Sequence, residues 1–541
     1  MYINFSDIPG HQNLFLDYLY EYENVAEFYA NDFRNKENYL KIFKNVSENR
    51  QNLAPDVSSL LTRQYSQLNP SSLTQKNIKM LSDKKTLAIV TGQQLGIIGG
   101  PLYTLYKIMT AIKLSRLLSE RYDDYNFVPV FWLEADDHDF NEVRATKIID
   151  EANSLITIEY KEEIAEDDLK QSVGMINFDS SINDFFKKLD TSQKQTEFKL
   201  PILEHLKSIY KEGTSFKDAF RKFVFDYFDE YGLIIFDPQD DEVKKILKPV
   251  FKKEITDFRI HTEQLVQVSA TLEELYHAQV KVKPVNLFLR VDEGRYSIEP
   301  VDNEYRLRRK RKSFTQEQLL ELLENEPDKF SPNVLLRPIC QDYLFPTAFY
   351  IAGPSEIAYF AQIKPLYEIY EIVEPIIYPR SSVTILENAI ANSLEKYSVS
   401  INDIFIDVEN VKKKIINSVE ERSVDEMFEG ITNQIETTFD QLKEKLLDLD
   451  KTIADSSNRY RDKILSNISE LKSKAEKAQQ KKYEVTLRQI DRAAVNLFPN
   501  SNLQEREINF VYFANKYGEE FIKKVFDELQ INKFEHQIIS L

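Results

Sequence analysis

Two short stretches carry residue types that could do chemistry. In the first, Asp136, Asp137, His138 and Asp139 follow one another. A histidine beside carboxylates can be held in one tautomer and act as a general base near neutral pH, the role needed to deprotonate an amine or a thiol. His138 is therefore the candidate base and Asp137 its candidate orienting carboxylate. The same cluster could hold a divalent cation. No second histidine lies close in sequence, so the base is favoured and no metal site is assigned. The second stretch, Thr91 to Lys107, reads TGQQLGIIGGPLYTLYK and holds Gly92, Gly96, Gly99 and Gly100 of the chain's 12 glycines. Glycine alone enters positive φ freely and lets a ligand approach the main chain closely. Thr91, Gly92, Gln93, Gln94, Gly99, Gly100, Tyr103 and Lys107 are thus candidate contacts for a substrate or nucleotide. The stretch is neither G-x-x-x-x-G-K-[ST] nor G-x-G-x-x-G, which disfavours a P-loop ATPase.

The elements that must position these residues follow from hydrophobic pattern. The apolar run 86–90 reads as a buried strand, and Leu102, Leu105, Ile108, Met109 and Ile112 recur at helical spacing after Pro101. Strand, Gly-rich turn and helix would present backbone N–H groups and a positive helix end to an anion. Further near-continuous apolar runs lie at 126–134, 232–237, 348–352 and 375–378. Five parallel-type strands with helices between them predict an open, doubly wound α/β sheet, whose ligand lies beyond the carboxyl ends where the strand order reverses. The fourth strand ends in a second Gly-Pro turn, Gly353, Pro354, Ser355 and Glu356. If the first and fourth strands adjoin, both turns face one pocket, with Arg380 after the fifth strand beside them.

Between these strands, 143–180 and 281–330 read as α+β insertions, the second with a hairpin turning at Asp292-Glu293-Gly294. The expected organisation is a helical lead-in over 1–85, core over 86–142, 181–280 and 331–398 around those insertions, a helical arm over 399–498 and a C-terminal segment over 499–541. From Arg380 to Phe498 there is no proline and one glycine, Gly430. Phe428, Ile431, Ile435, Leu442, Leu449 and Ile453 keep a 3/4 spacing that Tyr460 resumes, so a long coiled coil is predicted. A turn at Asp455–Asn458 would fold it into an antiparallel hairpin that serves a homodimer.

Composition narrows the function class. At 541 residues, 42% hydrophobic, the chain is long enough for two or three domains. Its 88 acidic and 70 basic residues give a charge of −18, which opposes nucleic-acid binding, and the basic run 306–312 is expected to be a solvated edge. Cys340 is the only cysteine, so no intrachain disulfide can form; it is expected to be a buried core thiol, and a reducing cytoplasm fits. No run of about twenty apolar residues is present, so neither membrane spanning nor export is expected.

Six motifs in order carry a resemblance: TGQQLGIIGGPLYTLYK (91–107), VPVFWLEADDHD (128–139), RPICQDYLFPT (337–347), GPSE (353–356), PRSSVTILE (379–387) and LQEREIN (503–509). Together they resemble the bacillithiol biosynthesis cysteine-adding enzymes over essentially the whole chain. The resemblance implies a Rossmann-like core related to nucleotidyl transferases, with a coiled coil for dimerisation. It further implies a ligase joining the carboxyl of cysteine to the amine of glucosaminyl-malate, the last step in making a low-molecular-weight thiol. Neither the His-x-Gly-His nor the Lys-Met-Ser-Lys-Ser signature of related synthetases occurs here. Activation of cysteine by adenylation is therefore expected from the energetics of amide formation, with ATP or ADP as the expected nucleotide and a divalent metal left open. Gln504, Arg506 and Asn509 in the last motif are candidates for a second nucleotide site near the arm. The alternative expectation is a nucleotide-binding sensor or assembly protein with the coiled coil as its arm.

Overall fold

The computed structural model describes residues 1–53, 57–161, 163, 170–292, 294–302, 304–419 and 424–541. The first apolar run forms β1, Thr86–Gln94, and the chain returns through α1, Leu102–Arg121, to β2, Asn126–Glu134. After β3, Ile234–Phe236, come β4, Thr347–Ala352, then α2, Pro354–Ile369, and β5, Ile376–Pro379. These strands form one sheet in the order β5-β4-β1-β2-β3, with every neighbouring pair parallel. Leu87–Val90 and Val130–Leu133 are buried on both faces, the condition that a parallel sheet covered by helices imposes. The order reverses between β1 and β4, as a doubly wound sheet requires, and the two strand-to-helix turns meet there. Gly92 stands opposite Trp132 and Gln94 opposite Glu134, so β1 and β2 end level and present their last residues to the same space.

Both insertions are antiparallel. Ala145–Ile149 pairs with Leu155–Glu159. Leu287–Val291, Gly294–Val301, Glu304–Leu307, Ser313–Phe314 and Phe330–Pro332 make a five-stranded sheet. Glu293 of the expected turn lies outside the described residues. The basic run 306–312 ends the Glu304–Leu307 strand and is mostly exposed.

Packing divides the chain into two units, 1–385 with 502–539, and 386–501 with 540–541. Residues 502–539 are therefore part of the first unit, where they help to build the site. In the second unit, helices Val424–Leu447 and Lys451–Lys482 pack along each other as a hairpin. The turn lies at 448–450, and the expected turn at Asp455–Asn458 is interior helix. Asp450 decides this: its Oδ1 accepts from the N–H groups of Thr452 and Ile453 at 2.7 and 3.1 Å and so starts the second helix. Ser456 and Ser457 turn their hydroxyls back onto helix carbonyls at 2.8 and 2.6 Å, which lets polar residues sit inside a helix. Among the described residues no helix is long and apolar enough to cross a membrane.

Candidate active site at the switch point

The carboxyl ends of β1, β2 and β4 open into a cavity of about 690 Å³. Gly92, Gln93, Gln94, Tyr103 and Lys107 line it from the first turn, Asp137 and His138 from the end of β2, and Gly353, Pro354, Ser355 and Glu356 from the second turn. Arg380 joins them from beyond β5. Adjacency of the first and fourth strands thus brings both turns to one pocket.

Three expected contacts are absent from that wall. Thr91 donates through Oγ1 to the Ile351 carbonyl at 3.1 Å and stitches β1 to β4. Gly99 and Gly100 hold φ of 84° and 70°, and a Cβ on Gly99 would run into the Phe223 ring, so they shape the turn. The start of α1 is also closed to an anion. Leu102 N–H donates to the Ile508 carbonyl at 3.1 Å, and Asn509 Nδ2 donates to the Ile98 and Gly100 carbonyls at 3.1 and 2.7 Å. Gln504 is taken up by the backbone of Ile385, accepting at 2.7 Å and donating at 3.0 Å. Of the three residues expected at a second nucleotide site, Arg506 lines the switch-point cavity and Gln504 and Asn509 do not.

Most charges in the pocket are already paired. Lys107 Nζ is 2.6 Å from Glu356 Oε2 and donates to the Gly92 carbonyl and Gln93 Oε1 at 2.6 and 3.1 Å. Glu356 also accepts from Tyr350 Oη and Gly353 N–H, at 2.6 and 2.7 Å. Burial opposes its charge, yet Lys107 and these donors hold its carboxyl below the usual range. Lys244 meets Asp136 at 2.6 Å; against burial, Lys244, Arg295 and Gln239 hold Asp136 low as well. Arg380 is bound to Glu505 at 2.7 Å. Arg337 Nε lies 3.0 Å from Glu134 Oε1, but here burial wins and pushes the Glu134 carboxyl up to about 7. The Arg506 side chain has no hydrogen bond or ion pair to any described residue; its guanidinium stands 5.9 Å from the centre of the Tyr103 ring.

His138 is held differently from the expectation. Arg295 Nη1 lies 3.2 Å from His138 Nδ1, whereas Asp137 Oδ1 is 3.7 Å from it. A guanidinium only donates, so Nδ1 must accept and the ring proton sits on Nε2. Burial and then the Arg295 charge lower the pKa of the ring. Asp137 is engaged elsewhere, accepting from His138 N–H at 2.7 Å and from Gln94 Nε2 at 2.6 Å. Arg295 itself is fixed by donation to Ser331 Oγ and the Pro332 carbonyl, at 2.8 and 2.7 Å, and lies over the Phe288 ring. The geometry therefore gives a neutral imidazole whose lone pair is occupied, not a base oriented by Asp137.

Sequence reasoning missed Arg295, Lys244, Glu134 and Arg337 as site residues. Arg337 opens one of the motifs and carried a signal; Arg295 sits in an ordinary hairpin and carried none. Cys340 is buried, and burial pushes its thiol well up, in keeping with a core residue. Among the described residues no group of three or more His, Cys, Asp or Glu is placed to hold a metal ion.

The comparisons with known proteins agree over the whole length. The profile of the bacillithiol biosynthesis BshC N-terminal Rossmann-like domain matches residues 1–381, and that of the BshC C-terminal coiled-coil domain matches 383–541. A protein of Salinibacter ruber named "Putative cysteine ligase BshC" is 32% identical over 98% of this chain and 96% of its own. Proteins of the same name from Chlorobaculum tepidum and Chloroherpeton thalassium are 33% and 34% identical, over 98% and 97% of this chain and 97% and 96% of theirs. With sheet and arm both matched, the chain belongs to the bacillithiol biosynthesis BshC family.

Proposed function

We propose that the protein is a ligase that forms an amide between the carboxyl group of cysteine and the amine of glucosaminyl-malate, in the cytoplasm, to complete bacillithiol or a related thiol. The name of its relatives, a cysteine ligase, supports this reading. The carrying observation is the switch-point cavity, whose wall offers both carboxylates and cations to substrates that themselves hold ammonium and carboxylate groups. An amide does not form favourably from a free carboxylate and an amine in water, so the cysteine carboxyl needs activation, and ATP is the proposed co-substrate. Lys107, Arg380 and the start of α1 are occupied by protein groups. The proposed phosphate contacts are therefore Arg506, whose guanidinium has no ion pair, and Ser355 at the exposed start of α2.

The arm is proposed to dimerise the protein. Exposed Ile431, Leu442, Leu449, Ile453 and Ile464 on the hairpin support that reading, and sedimentation of the full chain against an arm-surface variant tests it.

Incubating the purified protein with cysteine, glucosaminyl-malate and ATP, and reading products by mass spectrometry, tests the reaction. The expected product has the summed mass of the two substrates less one water, with nucleotide cleavage that depends on cysteine. Folded protein that yields no such product overturns the reading.

A further inference from the structure

We infer that Glu134, and not His138, is the group that takes the proton from the attacking amine. This assignment rests on the proposed ligase reaction. His138 is unsuited to the task because Arg295 holds the lone pair of Nδ1 and the proton sits on Nε2. Protonating that ring would break the Arg295 contact and place two cations side by side. What His138 presents is an N–H, suited to donating a hydrogen bond.

Glu134 has the opposite character. It is the last residue of β2, lines the cavity and stands beside Gln94. Its Oε1 is pinned by Arg337 Nε. Arg337 is itself fixed by Gln341 Oε1, Tyr350 Oη and Tyr359 Oη, at 2.9, 3.1 and 2.6 Å. Glu134 Oε2 has no hydrogen-bond partner among the described residues. Gly92 packs close beside the pinned oxygen: a Cβ there would stand 3.1 Å from the Trp132 carbonyl and 3.2 Å from Glu134 Oε1. Gln94 Nε2 gathers Asp137 and Glu142 at 2.6 and 2.8 Å, so the same wall attracts an ammonium group. Burial, with Asp137 and Glu356 adding to it and Arg337 and Lys107 opposing it, tunes the Glu134 carboxyl to about 7, where a base is half ionised at neutral pH.

The step balances. The Glu134 carboxylate takes one proton from the substrate ammonium. The freed nitrogen lone pair forms the C–N bond to the nucleotide-activated carboxyl, the C–O bond to phosphate breaks, and the phosphate oxygen leaves with that electron pair. The nitrogen loses its second proton to solvent.

The test compares Glu134→Gln, Glu134→Ala with added formate, and His138→Asn across pH. Wild-type kcat/KM should rise with pH through an inflection near 7. Glu134→Gln should lose about 10²–10⁴-fold of kcat/KM together with that inflection, and formate should restore part of the Glu134→Ala loss. An inflection that persists in Glu134→Gln and vanishes in His138→Asn overturns the assignment. A readout independent of turnover is the Glu134 carboxyl titration in the wild-type protein, followed by isotope-edited infrared spectroscopy. A midpoint near 7 supports the assignment, and one below about 5, the ordinary carboxylate range, overturns it even where no amide product is found. Failure of the ligase reading and failure of this assignment are thereby told apart.

Discussion

Lys107 Nζ lies 2.6 Å from Glu356 Oε2 and ties the helix after β1 to the helix after β4 across the switch point. Both side chains are largely buried, 2% and 19% exposed, so neither charge is well solvated if left alone. Lys107→Met should therefore cost about 3–5 kcal/mol, the usual penalty for stranding one member of a buried pair. Adding Glu356→Gln should recover part of that loss, since the stranded charge is then gone. Urea midpoints of the two single variants and the double variant check this; simple additivity would mean that the pair is not coupled.

Gly99 is predicted to tolerate no side chain. Its φ is 84°, and a Cβ would meet the Phe223 ring beneath the turn. Gly99→Ala should destabilise the protein by about 1–3 kcal/mol through backbone strain alone, with the ring clash adding to it. Gly430 in the arm has open space around the position of a Cβ and no positive φ. Gly430→Ala should instead be stabilising by up to about 1 kcal/mol. Thermal melting of both variants gives the comparison.

What the sequence made legible is what depends on local pattern. Buried runs such as 86–90 announced the core strands, and scarce glycines announced the two turns; in the first, Gly99 and Gly100 take positive φ that other residues adopt only at a cost. The pocket followed from strand order. What stayed hidden depends on partners far along the chain. Asp137 is adjacent to His138 in sequence, yet the group that fixes the ring is Arg295, brought back by the second insertion. Glu134 reads as an ordinary strand end, and only Arg337, from beyond that insertion, makes it a member of the site. The last motif misled in the same way: Asn509 belongs to the first turn, which it braces, and not to a site of its own.

Asn509 and Arg506 should therefore separate cleanly on mutation, although both lie in one motif. Asn509→Ala removes two buried hydrogen bonds to the turn and leaves the Ile98 and Gly100 carbonyls short of a donor, a loss of about 1–3 kcal/mol. Arg506→Ala breaks no side-chain hydrogen bond or ion pair to the described residues and should change stability by less than about 0.5 kcal/mol. On the proposed phosphate role it should raise the KM for ATP. Parallel denaturation and steady-state kinetics distinguish the two, and a large stability loss in Arg506→Ala would contradict its unpaired state.

Glu374 supplies a prediction on pH. Its side chain is buried, Oε1 accepts weakly from Ala30 N–H at 3.3 Å, and Oε2 has no partner among the described residues. Burial, only partly countered by Ala30 and Lys364, pushes the carboxyl up to about 8 from 4.5. The folded chain thus keeps a proton that the unfolded chain releases. Glu374 favours the fold fully below pH 4.5 and loses that contribution as pH rises towards about 8, where the ion must be buried unpaired. Glu374→Gln keeps the shape without the charge. It should be near neutral in stability at pH 5 and more stable than wild type at pH 8.5, with the margin growing between. Urea midpoints at both pH values measure this. A margin that shrinks with rising pH would show that Glu374 is ionised in the fold and stabilised by a partner.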